Sequence, residues 1–212
     1  MRLADIKGNY DGIFSLGHLC LTAIQLERNG LRPFAGPIDW MASYTLPDVS
    51  RFIRNRCAGF MERGHLQYEC TFAGTHHLVR ESAYNFILNH DFFASQCDPY
   101  LLETYPYVKT KYDKQRYRLL ERAANGKRLL FVRCGGTFEE VRELRDALNG
   151  FVTRDYNLLH VSETDTPMLR ETEWPLARVC SVELPGDHDA VWIGNHAYWQ
   201  YMLNGINYME PE

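Results

Sequence analysis

The sequence predicts an α/β protein with a mainly parallel central sheet flanked by helices. Three observations carry this. Residues 127–133 carry a continuous apolar run at 129–132, as a parallel strand buried on both faces requires. Thr137 and Glu140 make a capping box that opens an amphipathic stretch over 138–148, and residues 157–161 follow as a second apolar strand. Strand, helix and strand in immediate succession make a crossover unit, right-handed by the usual chirality. Third, a short apolar strand at 11–16 leads through Gly17-His18 into a helical stripe of Leu19, Ala23 and Leu26, closed by Asn29-Gly30.

The other elements are read in order. Residues 31–40 are a Pro-bearing loop, and Thr45 with Pro47 marks the entry to a helix over 48–56. The stretch from 60 to 93 is ambiguous, with strand-like pieces at 66–71 and 84–88. Asp98-Pro99 opens helical sequence that breaks near Pro106 and runs to Asn125-Gly126. Its second part, 109–122, is basic on one side and carries Tyr112, Leu119 and Ala123 on the other. Residues 178–184 read as a further strand and 195–203 as an aromatic terminal helix. The expectation is one α/β domain over 1–212, with a small irregular subdomain at 57–97.

With 212 residues, 45% of them apolar, the chain has material for a substantial core. A net charge of −4 gives no electrostatic reason to expect nucleic acid as a partner. No apolar run approaches the ~18 residues of a membrane span, and the first residues lack the apolar stretch of a secretory signal. A cytoplasmic location is the expectation. None of the six cysteines lies in a C-x-x-C pair, so neither a zinc site nor a disulfide scaffold is expected.

One cysteine stands apart. Cys20 falls in the first helical turn after a strand, where free backbone N–H groups and the helix dipole favour a thiolate. The turn residues Gly17 and His18, with those N–H groups, are the candidate oxyanion hole. Packing of a small residue between helix and sheet is the alternative reading. A nucleophilic cysteine needs a base. His90, closing the apolar run 86–93, is the first candidate and His196 the second; His18, His76, His77 and His188 are weaker. Arg133, before Gly135-Gly136 at a strand-to-helix turn, is a possible anion-binding residue with Arg118 of the basic helix. A pocket shared by the two would suit a phosphorylated cofactor such as coenzyme A.

The run Ser15-Leu16-Gly17-His18-Leu19-Cys20, then Gly30-Leu31-Arg32, then Pro37-Ile38-Asp39-Trp40, resembles a bacterial family of unknown function described as papain-like cysteine peptidases. Asn89-His90-Asp91-Phe92 is similar to its H-D-F element, and Leu130-Phe131-Val132-Arg133 to its L-F-[VI]-R strand. The motifs occur in order over residues 11–161. The resemblance implies Cys20 as nucleophile and His90 as general base, with Asp39 orienting the imidazole; Asp91 and Asn195 are the alternatives for that third role. Position 14, six residues before the cysteine, is Phe rather than the Gln of papain itself.

Two classes of function follow. One is an enzyme that passes an acyl group through a Cys20 thioester, with a peptide or other acyl donor as substrate. Water as acceptor makes it a hydrolase, which needs no cofactor; another acceptor makes it an acyltransferase, with coenzyme A as a possible donor. The other is a non-catalytic binding module in which Cys20 is merely packed.

Overall fold

The computed structural model describes residues 1–186 and 194–210. In chain order the strands are β1 (Gly8–Tyr10), β2 (Gly12–Ser15), β3 (Met41–Ala42), β4 (Leu66–Phe72), β5 (His76–Glu81), β6 (Phe86–Phe93), β7 (Arg128–Cys134), β8 (Asp155–Thr164), β9 (Arg170–Thr172), β10 (Val179–Pro185) and β11 (Ile206–Tyr208). The helices are α1 (Leu21–Arg28), α2 (Leu46–Arg54), α3 (Tyr105–Asn125), α4 (Phe138–Phe151) and α5 (His196–Leu203).

Strands β2, β7, β8 and β10 lie side by side and parallel, and β9 adds an antiparallel edge. The β7–α4–β8 crossover is the unit the capping box and the two apolar runs predict. Side chains of β7 alternate between two apolar clusters. Leu129 and Phe131 enter one with Phe52 of α2, Leu119 of α3 and Leu144 of α4. Leu130 and Val132 enter the other with Leu26 of α1 and Trp199 and Met202 of α5. Each fully buried Leu or Phe contributes roughly 1.5–3 kcal/mol of transfer free energy. Burial on both faces is why this strand carries no polar alternation.

The α/β class holds, but a single mainly parallel central sheet does not form. A second sheet of four antiparallel strands, in the order β3-β6-β5-β4, stands beside the first. Most of it comes from the stretch 60–93, whose sequence was ambiguous. A small parallel pair, β1 with β11, joins the two ends of the described chain. Pro106 starts α3 rather than interrupting it, and α4 runs past Asn149-Gly150 because buried Phe151 anchors its last turn. His188 and Trp192 lie outside the described residues. Among the described residues no helix is long and apolar enough to cross a membrane.

One buried group makes the core sensitive to acid. His160 of β8 is fully buried, bonded at Nδ1 to Ser181 Oγ at 3.0 Å and stacked on Trp174. Burial, with the positive charge of Arg133, pushes its pKa down to about 4. Between that value and the ordinary 6.5, the unfolded chain takes up a proton that the folded chain refuses. Stability is therefore lost as pH falls through this window, by on the order of 3 kcal/mol. Urea midpoints at pH 7 and pH 4 should show that extra loss for the native chain relative to His160→Gln. An equal loss in both would assign the acid sensitivity to other groups.

Candidate active site

The site forms where the carboxyl end of β2 meets the second sheet. After Ser15 the chain turns through Gly17, whose φ of +86° suits a residue without Cβ, and α1 begins directly after Cys20. Three carbonyls of this turn, those of residues 16–18, are each held by a donor. Arg133 Nη1 donates to Leu16 O at 2.7 Å. Cys134 N and Thr22 Oγ1 donate to Gly17 O at 2.9 and 2.8 Å. Ser43 donates to His18 O through N at 2.8 Å and Oγ at 3.3 Å. With these carbonyls engaged, the N–H groups of Leu19 and Cys20 find no backbone acceptor among the described residues. The Cys20 N–H is directed at its own sulfur, so a donor already stands where an oxyanion hole requires one.

His90 arrives from the other sheet. Pairing between β5 and β6 passes from Val79–Leu88 to His77–Phe92, so two steps on β5 face four on β6. Such a bulge re-aims side chains, and here it carries Asn89, His90 and Asp91. His90 Nε2 stands 3.6 Å from Cys20 Sγ, within reach of proton transfer in an empty site. Cys20 is only 4% exposed, whereas His90 is partly open to solvent. The structure therefore brings the first-choice nucleophile and base together.

Electrostatics correct the expected acidity of the sulfur. Burial pushes the Cys20 thiol up, its own backbone N–H opposes this, and the charge of Asp39 adds to the rise. Burial likewise lowers the His90 pKa; Asp91 opposes that, and His76 and Lys111 reinforce it. Both shifts favour the uncharged forms. The resting pair is a thiol beside a neutral imidazole, because loss of water at the sulfur outweighs the helix terminus.

The remaining candidates fall elsewhere. Asp39 does not meet His90: its carboxylate accepts from Arg32 Nε at 2.8 Å and from Gly36 N at 2.9 Å. It reaches the imidazole only through neighbours. Arg32 lies over the Trp40 ring at 5.0 Å, and the Trp40 ring stands edge-on to His90 with centroids 6.2 Å apart. His76 flanks the same ring at 6.2 Å. Asp91 points into α3, where it pairs with Lys111 and accepts from Tyr112 OH at 2.6 Å. Asn195 donates to Pro185 O at 2.7 Å, and His196 pairs with Gln25 Oε1 at 2.9 Å, neither beside the sulfur. His18 is half-buried against Tyr44, its pKa lowered by burial and by Arg133.

Arg133 is not an open anion site. It is 1% exposed, and its guanidinium is taken up by Leu16 O, Ser43 Oγ and Ser43 O. The N-terminus of α4 beside it is already capped by Thr137 and Glu140. Arg118 sits over the Phe34 ring at 4.7 Å and lines a surface cleft with Lys114 and Arg122 that does not include Arg133. Ser43 is missed from sequence and carries no signal there. Trp40 enters only as part of the Pro37-Ile38-Asp39-Trp40 run and His76 only as a weaker base, neither as a neighbour of the His90 ring.

Comparison with known proteins fits this geometry. Uncharacterized protein R408 of Acanthamoeba polyphaga mimivirus is 24% identical over 216 residues, covering 92% of this chain and 94% of that protein. No solved structure matches. A family model spans residues 11–161, which include both Cys20 and His90. The chain belongs to the family described as "Putative papain-like cysteine peptidase (DUF1796)".

Proposed function

We propose that the protein is a cysteine hydrolase that cleaves an amide or peptide bond through an acyl thioester on Cys20. The observation that carries this reading is the 3.6 Å approach of His90 Nε2 to the Cys20 sulfur at the start of α1. His90 takes the thiol proton as sulfur attacks the carbonyl carbon. The N–H groups of Leu19 and Cys20 hold the resulting oxyanion. On collapse the C–N bond breaks, the amine leaves with the proton from His90, and the acyl group stays on sulfur. Water then attacks the thioester, His90 accepts its proton, and that proton returns to the departing sulfur. The products are an acid and an amine, and the enzyme is restored.

A neutral resting pair suits this sequence, since the imidazole is free to act as base without first losing a proton. The third group of a triad is absent among the described residues; aromatic contacts from Trp40 and His76 hold the ring instead. Transfer from coenzyme A is less well supported, because Arg133 is closed off within the protein and Arg118 lines a separate cleft.

The test is acylation by p-nitrophenyl acetate at pH 7, followed by peptide mapping. Cys70 is exposed and serves as an internal reference thiol. Exposure alone predicts that Cys70 reacts first. The proposal expects Cys20 to be acetylated at least about tenfold faster, given the usual contribution of a positioned base. Labelling of Cys20 no faster than Cys70 overturns it, as does an unchanged rate of p-nitrophenol release in Cys20→Ser.

A further inference from the structure

Beside the nucleophile turn, at the carboxyl ends of β7, β8 and β10, lies a cavity of about 240 Å³. Leu21, Val161, Leu184 and Trp199 form its walls, and His18 and Leu19 close it from the turn itself. Open parallel sheets bind ligands at this edge, outside the carboxyl ends of their strands. Residues on both sides of Cys20 in the chain thus line the cavity, while the sulfur and His90 lie outside it.

We propose that this cavity receives an apolar group on the acyl side of the substrate, a single aliphatic chain or side chain carried by the carbonyl that Cys20 attacks. The inference rests on the reading of Cys20 as acyl carrier and names the substrate class of that site. Two features support it. The walls are mostly hydrocarbon, so transfer of an apolar group from water is favoured. The volume falls below the 300–1,000 Å³ of sites that hold whole small molecules, so it fits one side-chain-sized group. Cys134, in the same wall, is bonded by Thr22 Oγ1 at 3.2 Å and raised to about 11 by burial, so it stays a neutral thiol.

The geometry implies that the acyl chain passes over the Leu19 and Cys20 N–H groups, leaving the carbonyl oxygen on those donors. The leaving group then departs on the His90 side, where its proton is supplied.

The experiment measures acylation of Cys20 by p-nitrophenyl acetate, butyrate and hexanoate, each normalised to N-acetylcysteine. In the native chain each added methylene should raise the normalised rate about fourfold, the factor equivalent to ~0.8 kcal/mol per buried methylene. Leu21→Trp, at the partly exposed wall, should remove the increase with chain length, read as the hexanoate-to-acetate ratio within the same protein; Leu184→Trp, from the opposite wall, is the second variant. A native rate indifferent to chain length overturns the cavity proposal while leaving the thioester chemistry standing. So does an increase that survives in both variants. Failure of Cys20 to take even acetyl overturns the hydrolase reading itself, and the cavity proposal with it.

Discussion

Replacing His90 by alanine should lower the rate of Cys20 acylation at pH 7 by about a hundred- to ten-thousand-fold, the usual contribution of a positioned base. The thiol alone cannot compensate, since burial holds its pKa above the ordinary 9.0 and little thiolate is present at neutral pH. The pH profile separates this role from mere packing. His90 is a base only when unprotonated, and burial keeps its pKa below the ordinary 6.5. The native rate should therefore rise with pH through an inflection below about 6.5 and then level off. In His90→Ala the rate should instead climb only as the thiol itself ionises, with no plateau at neutral pH. A native profile that rises only near pH 9 would mean that the thiolate forms without His90, and the pair would then be an accident of packing.

Gly17→Ala should be the most damaging single methyl group in the chain. A Cβ at this position would overlap Ser43 Oγ and stand 3.0 Å from Arg133 Nη1, and φ is +86°. Ser43 Oγ cannot withdraw without losing its bonds to His18 O and Arg133 Nη1, although Ser43 N still holds His18 O, and Arg133 cannot withdraw without releasing Leu16 O. Strain and overpacking together should cost about 2–4 kcal/mol. Gly30 is the control: its φ is +69°, but a Cβ there meets nothing within 4 Å. Gly30→Ala should thus cost only about 1 kcal/mol, from backbone strain alone. Urea denaturation of both variants measures the difference. Equal midpoints would show that Ser43 and Arg133 yield freely, and that the turn is not held as described. Acylation of the Gly17→Ala protein that remains folded should also slow, because its oxyanion donors no longer sit where the pinned carbonyls put them.

Much of the central architecture was legible locally. The capping box and two apolar runs announce β7–α4–β8, since each signal lies within the segment it specifies. Cys20 was legible because a strand, a turn and a helical stripe meet there, and His90 because an apolar run leads up to it. What escaped depends on distant partners. Strand β5 begins with two histidines and is specified by pairing with β4 and β6 rather than by its own pattern. The bulge at 89–91 follows from that pairing and could not be seen before it. Arg133 reads as ligand-facing because an arginine at a strand end usually reaches water. Its acceptors here are two carbonyls and a hydroxyl, which leave no trace in composition. Asp39 lies in the right segment, yet its carboxylate turns toward Arg32, seven residues earlier, rather than toward the imidazole.

The proposed nucleophile and base, Cys20 and His90, come from opposite sides of the boundary between the two sheets and lie 70 residues apart in the chain. During synthesis the thiol leaves the ribosome well before the imidazole, and the two meet only once both layers have docked. On the proposed reading a nascent chain or a partly opened molecule carries an idle thiol, and chemistry switches on with the last stage of tertiary assembly rather than with the exit of any one segment.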